Sequence, residues 1–254
     1  MKKIFEIGNI EKGIFKDRPN RFIADIEIDN KIEKCHVHDS GRIKELLFSN
    51  NIIGVKRATK LEKRKTAFDV ISALTMEKDE EILINSAYHR YISENLLKDF
   101  TISPFGEVES IKAEVKYGES RLDYLLTKNG EKIWIEVKGV SLSENKIAKF
   151  PDAPSTRAQK HLKELMKIKS NGERAAILLL VFRDSHSFRP KFETDREFAQ
   201  LFYEAIESGV EVYPIQFKLI DNSIYYIDKN IEIIPKENSN YSVISQLKKT
   251  QRIV

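Results

Sequence analysis

Arg121-Leu-Asp-Tyr-Leu-Leu-Thr-Lys-Asn-Gly-Glu-Lys-Ile-Trp-Ile-Glu-Val-Lys138 is the stretch on which the reading of this chain turns. Asn129-Gly130 lies between two alternating apolar and polar runs. A two-residue type I′ turn needs positive φ at both central positions, which Asn and Gly tolerate, so the stretch is expected to be a hairpin. With that loop, Lys128 faces Glu131, and the same register puts Asp123 opposite Glu136 and Arg121 opposite Lys138. Side chains alternate along a strand, so Asp123, Glu136 and Lys138 share one face. Leu122, Tyr124, Leu126, Ile133, Ile135 and Val137 form the other, apolar face and are expected in the core.

Two carboxylates whose Cβ atoms stand ~4.5–5.5 Å apart repel unless something cationic lies between them. A divalent metal taking oxygens from Asp123, Glu136 and the backbone carbonyl of Val137 is one solution. Lys138 would then stabilise charge developing on a phosphoryl group or orient a water whose pKa the metal lowers, which is the chemistry of phosphodiester hydrolysis. A solvated face carrying diagonal Asp123–Lys138 and Glu136–Arg121 ion pairs is the other solution. Spacing alone leaves both open.

The flanking sequence reads as α/β. Upstream, Ile82, Leu83, Ala87, Tyr91, Ile92 and Leu96 recur at helical steps, predicting a helix from about Glu80 to Lys98. A strand is expected at Ser110–Tyr117. Downstream, Pro151 and Pro154 mark a loop before a helix over Ser155–Lys169, with Ala158, Leu162, Leu165 and Met166 as its buried stripe and Arg157, His161 and Glu164 along its border. A buried strand (Ala175–Phe182), a helix (Asp195–Ser208, stopped by Gly209) and a strand (Val210–Leu219) follow. This order gives an α/β domain over residues 79–235. Residues 236–254 form a polar, then basic, tail with no assigned place.

The first third reads differently. Short strands are predicted at Phe22–Ile28, Ile32–Val37, Ile52–Ala58 and Thr66–Leu74, with Lys3–Ile7 as a possible first strand. Ile43, Leu46 and Leu47 suggest a short amphipathic helix capped by Asp39 or Ser40. Five short strands and one helix within residues 1–78 suit a small, partly open OB-type barrel.

Charge follows the same division. The net charge of the 254 residues is only +4, yet residues 1–78 hold 17 Lys and Arg against 12 Asp and Glu. A concentrated positive field suits a polyanion partner. Lys56, Arg57, Lys60, Lys63, Arg64 and Lys65 form a basic run that would track phosphates from a barrel loop, and Arg42 and Lys44 extend it. Phe15, Phe22 and Phe48 are the aromatic groups available for base stacking. A single cysteine, Cys35, excludes an internal disulfide framework and a cysteine-based zinc cluster. His36-x-His38 points two imidazoles to one side of a strand, but no third ligand stands at a defined spacing. No apolar run reaches the ~18–20 residues of a membrane span. Glu6 and Glu11 interrupt any signal-peptide apolar region, so a cytoplasmic protein without membrane partners is expected.

Asp123 followed by Glu136-Val137-Lys138 across a hairpin resembles the PD-(D/E)xK nuclease signature, with Leu122 where the proline usually stands. A longer set of motifs resembles the sugar fermentation stimulation protein family: Lys116-Tyr-Gly-Glu-Ser-Arg-Leu-Asp123, Ile135-Glu-Val-Lys138, Phe150-Pro-Asp-Ala153, Thr156-Arg157 and Lys160-His-Leu-Lys-Glu-Leu165. Asp39-Ser-Gly-Arg42 with Glu45-Leu-Leu47 resembles the family's N-terminal motif, where Asn usually replaces Asp39. The resemblance implies an OB-like domain, a restriction-endonuclease-like α/β/α domain and DNA binding, linked to regulation of sugar catabolism.

The expectation is therefore a DNA-binding protein, with RNA also a possible ligand, carrying an Mg²⁺- or Mn²⁺-dependent nuclease site. In it Asp123, Glu136 and Lys138 act on the phosphodiester, while Arg121, Arg157, Lys160 and His161 hold the phosphate or support the acids. The competing expectation is a regulator that binds DNA without cutting it. The sequence leaves the oligomeric state open.

Overall fold

Three sheets and three α-helices carry the chain in this computed structural model, which describes residues 1–39, 41–59 and 64–238. The first strand, β1 (Lys2–Glu6), does not belong to the barrel that follows it. The barrel is built from β2 (Glu11–Asn20), β3 (Ile23–Ile28), β4 (Lys31–His36), β5 (Ile52–Arg57) and β6 (Phe68–Leu74). Their order is β4-β3-β2-β5-β6, and a parallel β4–β6 pairing closes it. Five strands in this order, antiparallel except at the closure, form an OB-type Greek-key barrel. Glycine lets β2 cross the barrel closely: a Cβ on Gly13 would fall 2.9 Å from the Glu27 carbonyl oxygen.

Three expectations for this region need correction. Lys3–Ile7 is not the first barrel strand; β2 is, and its mixed sequence around Asp17 and Pro19 hides its alternation. The segment around Ile43 is a single turn, closed by the Leu47 N–H on the Ile43 carbonyl at 2.8 Å, and not a helix. Asp39 does not cap that turn: its carboxylate accepts from the Gly41 N–H at 2.7 Å, ahead of the turn, and the Ile43 N–H donates to Asp152 instead. The expected helix start at Glu80 is instead a strand, β7 (Glu81–Leu83), which pairs with β6 and carries the barrel sheet beyond residue 78.

The α/β domain begins with α1 (His89–Lys98). Its sheet uses β8 (Ser110–Tyr117), β9 (Ser120–Lys128), β10 (Glu131–Val140), β13 (Arg174–Val181), β15 (Glu211–Ile220) and β16 (Ser223–Ile227). Between β10 and β13 lie β11 (Leu142–Glu144), β12 (Ile147–Phe150) and α2 (Thr156–Ser170). After β13 come β14 (Ser187–Pro190) and α3 (Arg196–Glu207), and β17 (Glu232–Ile233) follows β16. The large sheet has the order β1-β16-β15-β13-β10-β9-β8. Thus β1 returns as an edge strand of the C-terminal sheet, antiparallel to β16. A small sheet, β11-β12-β14-β17, occupies what reads in the sequence as loop, because strands of two to four residues carry no detectable period.

The large sheet is buried on both faces. Ile177, Leu179 and Val181 pack with α2 and α3 residues such as Leu165 and Phe202. Ala176, Leu178 and Leu180 join Ile92 and Leu96 of α1 and the barrel's own Ile26 and Ile53 in one continuous core. This two-sided burial is why β13 reads as an unbroken apolar run. Asp152 ties the barrel's turn to the α/β domain, since its Oδ2 accepts from the Ile43 N–H at 3.2 Å. Gly41 has no room for a Cβ beside that carboxylate. No helix among the described residues is long and apolar enough to cross a membrane.

Candidate active site

The β9–β10 hairpin keeps the predicted register from Lys128 and Glu131 to Tyr124 and Ile135. Asn129 and Gly130 have φ of 51° and 76°, as a type I′ turn requires. Beyond Tyr124 the strands part. The Val137 N–H donates to Asp123 Oδ2 at 2.6 Å instead.

A second irregularity aims Asp123. Ile111, Ala113 and Tyr124 pack on the barrel side of the sheet, while Val115, Tyr117 and Leu122 pack on the α2 side. Residues two apart normally share a face, so both β8 and β9 change sides between these positions. Glu114, at the crossover on β8, has a left-handed φ of 55°. Irregularities of this kind re-aim side chains at sites. Leu122 therefore lies opposite to the face expected for it, in the core beneath α2. The face of Glu136 is no open surface either: α2 covers it, leaving Glu136 3% exposed.

Glu136 Oε1 is held by Lys138 Nζ and by His161 Nδ1 of α2. Its other oxygen, Oε2, is buried with no hydrogen-bond partner among the described residues. Burial works to raise the Glu136 pKa, but the Lys138 ammonium and His161 outweigh it and hold the carboxyl below its ordinary value. Asp123 behaves oppositely: burial, and then the charge of Glu136, push it up to about 6. The environment thus drives the two acids apart, Glu136 toward the anion and Asp123 toward the protonated form, and the buried Glu136 does not sit on a solvated strand face.

These groups open into a cleft of about 390 Å³ lined also by Ser86, His89, Arg90, Glu114, Ser155 and Arg157. The first turns of α1 and α2 both border it, presenting helix N-termini that favour anions. Ser155 caps α2, accepting from the Ala158 N–H at 3.2 Å, and its own N–H donates to Asp195 Oδ2 at 2.9 Å, so α3's cap also fixes α2. His89 stacks on Phe182 with ring centroids 5.3 Å apart and fills the space where a Gly139 side chain would lie. Burial and the Lys138 charge push its pKa down to about 4, leaving a neutral imidazole in the cleft.

Asp123, Glu136, Val137, Lys138 and Arg157 thus meet in one cleft. Arg121, Lys160 and His161 line an adjoining depression shared with Arg157. Arg121 is exposed, 4.0 Å from Glu114 Oε2, and Lys160 is exposed, 3.8 Å from Glu119. His161 is almost fully buried, with its Nδ1 against Glu136 Oε1. Sequence reading missed Ser86, His89, Arg90, Glu114 and Ser155. Asn85 carried a usable signal for the first three, since its side chain accepts from the Ala87 N–H at 3.0 Å and starts the turn that leads into α1.

On the barrel, the expected basic strip is divided. Arg42 and Lys44 line a groove with Arg18 and Arg21. Lys56 is half-buried and donates to the Ile7 carbonyl, Arg57 lies 4.5 Å above the Phe68 ring, and Arg64 is engaged by Asp69. Lys65 is exposed, while Lys60 and Lys63 lie outside the described residues. Of the three candidate stacking rings, Phe15 is buried, Phe48 is partly covered, and Phe22 is 53% exposed beside Arg21.

An OB-type barrel joined to an α/β domain with two acids and a lysine in one cleft defines the class of protein. The chain belongs to the sugar fermentation stimulation protein family. Residues 85–223 match the family's "Sugar fermentation stimulation protein RE domain" and residues 17–84 its "SfsA N-terminal OB domain". It is 40% identical over 234 residues to the sugar fermentation stimulation protein homolog of Thermosipho melanesiensis, covering 92% of this chain and 99% of that one. It is also 40% identical over 216 residues to the homolog of Methanococcoides burtonii, covering 82% and 86%. The solved structure of Pyrococcus furiosus SfsA in complex with Ca²⁺ superposes with a TM-score of 0.85 at 27% identity, covering 92% of this chain and all of that one.

Proposed function

We propose that the cleft is a PD-(D/E)xK-type site for divalent-metal-dependent hydrolysis of DNA phosphodiesters. The observation that carries this reading is Glu136 Oε2, a buried carboxylate oxygen left without a partner among the described residues, in the same cleft as an Asp123 that burial and the charge of Glu136 disfavour as an anion. Leaving such an oxygen desolvated is costly unless a cation completes it. The donor set is oxygen-rich and fits a hard cation. The P. furiosus relative, solved with Ca²⁺, supports the same preference. Asp123, Glu136 and the Val137 carbonyl would hold Mg²⁺ or Mn²⁺, which supplies Lewis-acid polarisation of a phosphoryl oxygen and a more acidic water.

The chain's own groups do the rest. Lys138, tethered to Glu136, places positive charge where the attacked phosphate becomes more negative. Exposed Arg157 and the N-terminus of α2 bind a neighbouring phosphate. His161 donates no contact to substrate and instead fixes the rotamer of Glu136. On the barrel, Arg18, Arg21, Arg42 and Lys44 follow the backbone, with Phe22 as a stacking platform.

The alternative is a DNA-binding regulator linked to sugar catabolism, in which the cleft is a scaffold. It draws on Glu136 Oε1 being already neutralised by Lys138 and His161. One experiment separates them. Purified protein is incubated with labelled single-stranded DNA, duplex DNA and RNA in Mg²⁺, Mn²⁺ or EDTA, beside Asp123→Asn. Metal-dependent cleavage lost in the variant supports the nuclease. Binding without cleavage under either metal leaves the regulator, and no binding refutes both.

A further inference from the structure

We infer that the barrel carries a second metal site, for a Zn²⁺-class cation, formed by His36, His38 and Asp69 at the seam where the barrel closes. His36 Nδ1 and His38 Nε2 are 3.2 Å apart, His38 Nε2 and Asp69 Oδ1 3.0 Å, and His36 Nδ1 and Asp69 Oδ1 3.7 Å. Three donors bound tetrahedrally at ~2.0–2.1 Å would be separated by about 3.3–3.4 Å. The apices of the site are therefore already in place. Two imidazoles with one carboxylate suit Zn²⁺ and its neighbours rather than Mg²⁺ or Ca²⁺, which take all-oxygen sets. This donor set also separates the site from the oxygen-lined cleft between Asp123 and Glu136.

The position explains what the ion would do. β4 and β6 are joined by only two residue pairs, Cys35 with Phe68 and His36 with Asp69. A cation shared by His36, His38 and Asp69 would clamp that short seam. Cys35 is no rival ligand: it is fully buried, and burial pushes its thiol up to about 12. Arg64 faces the same carboxylate, its Nη1 donating to Asp69 Oδ2 at 3.1 Å while Nη2 reaches Oδ1. With a cation on Oδ1, Arg64 keeps Oδ2 and orients the carboxylate, as outer hydrogen bonds do at metal sites. His36 and His38 are about a third exposed, which leaves the fourth position open to water. Ser86, which lines the cleft, donates to the His38 carbonyl at 2.5 Å, so the clamp also braces one cleft wall.

The test uses full-length protein stripped with EDTA and titrated with Co²⁺ and then Zn²⁺. Wild type, His36→Gln, His38→Gln and Asp123→Asn are compared. Tetrahedral Co²⁺ absorption displaced by Zn²⁺ is expected in wild type and in Asp123→Asn, with affinity about 100-fold weaker or lost in both histidine variants. Zn²⁺ should raise the melting temperature of the first pair and not of the second. Histidine ¹⁵N shifts in wild type, with and without Zn²⁺, report ligation at Nδ1 of His36 and Nε2 of His38 without relying on any variant. The site is refuted if wild type gives no tetrahedral signal, if either histidine variant binds as wild type does, or if the Asp123 variant loses binding. The first two results leave the nuclease reading untouched, because that reading rests on Asp123 and Glu136.

Discussion

Asp123 should make the metal-free fold less stable as the pH rises. Burial and the charge of Glu136 lift its pKa from 3.8 in the free side chain to about 6 in the fold. The folded state therefore binds this proton more tightly than the unfolded chain. Its stabilising effect is complete below pH ~4 and is lost as the pH passes through ~6. A gap of about 2 units corresponds to roughly 3 kcal/mol, so at about pH 8 the ionised carboxylate costs the fold an energy of that order. Asp123→Asn removes the charge yet keeps an oxygen that can accept from the Val137 N–H. In EDTA at about pH 8 the variant should be more stable than wild type by about 2–3 kcal/mol, or roughly 5–10 °C for a chain of this size. The gap should close as the pH falls towards ~4, and adding Mg²⁺ or Mn²⁺ should close it from the wild-type side. Differential scanning calorimetry across this pH range is the assay. A variant no more stable than wild type at the alkaline end would refute the reasoning, since the two acids would then not be in conflict.

Removing the imidazole that holds Glu136, as in His161→Ala, should cost on the order of 3 kcal/mol by urea denaturation, because it strips a buried carboxylate of one of its two donors. The same variant should lower the cleft's divalent-metal affinity by about 10–100-fold in a calorimetric titration. Gly41→Ala would drive a methyl group into the Asp152 carboxylate and detach the Ile43 turn, so a loss of about 1–3 kcal/mol is expected, with faster amide exchange at Ile43. If the groove holding Arg21 and Arg42 follows a DNA backbone, replacing both with Ala should reduce the salt dependence of binding by about 2 in the log–log slope. An unchanged slope in a fluorescence anisotropy titration would move the DNA path elsewhere on the barrel.

What could be read in advance was what nearest neighbours along the chain decide. Asn129-Gly130 fixed its turn and the register from Lys128 to Tyr124, because the turn's φ angles and the two-residue period are local properties. Asp195 and Gly209 bounded α3 for the same reason, and the unbroken apolar run of β13 announced burial on both faces. The motifs around Asp123 and Glu136 were enough to place the chain in its family. Elements whose signal is short or mixed were lost: β2 with its Pro19, β7 with three residues, and the strands of the small sheet.

The site divides along the same line. Sequence by itself determined that Asp123, Glu136 and Lys138 lie on neighbouring strands at the open end of one hairpin, since turn length suffices for that. The pairing expected of Asp123 with Glu136 and of Arg121 with Lys138 is lost where the ladder ends at Tyr124 and Ile135. Only the tertiary structure decided that α2 would bury Glu136, that His161 would seize one of its oxygens and leave the other bare, and that the crossover at Glu114 would turn Asp123 into the cleft. It also decided that Asp69 would meet His36 and His38, across a barrel closure that joins residues more than thirty apart in sequence. The reason is physical. Alternation and turn chemistry depend on the next few residues, whereas desolvation, charge conflict and ligand convergence depend on whichever distant segment packs against them.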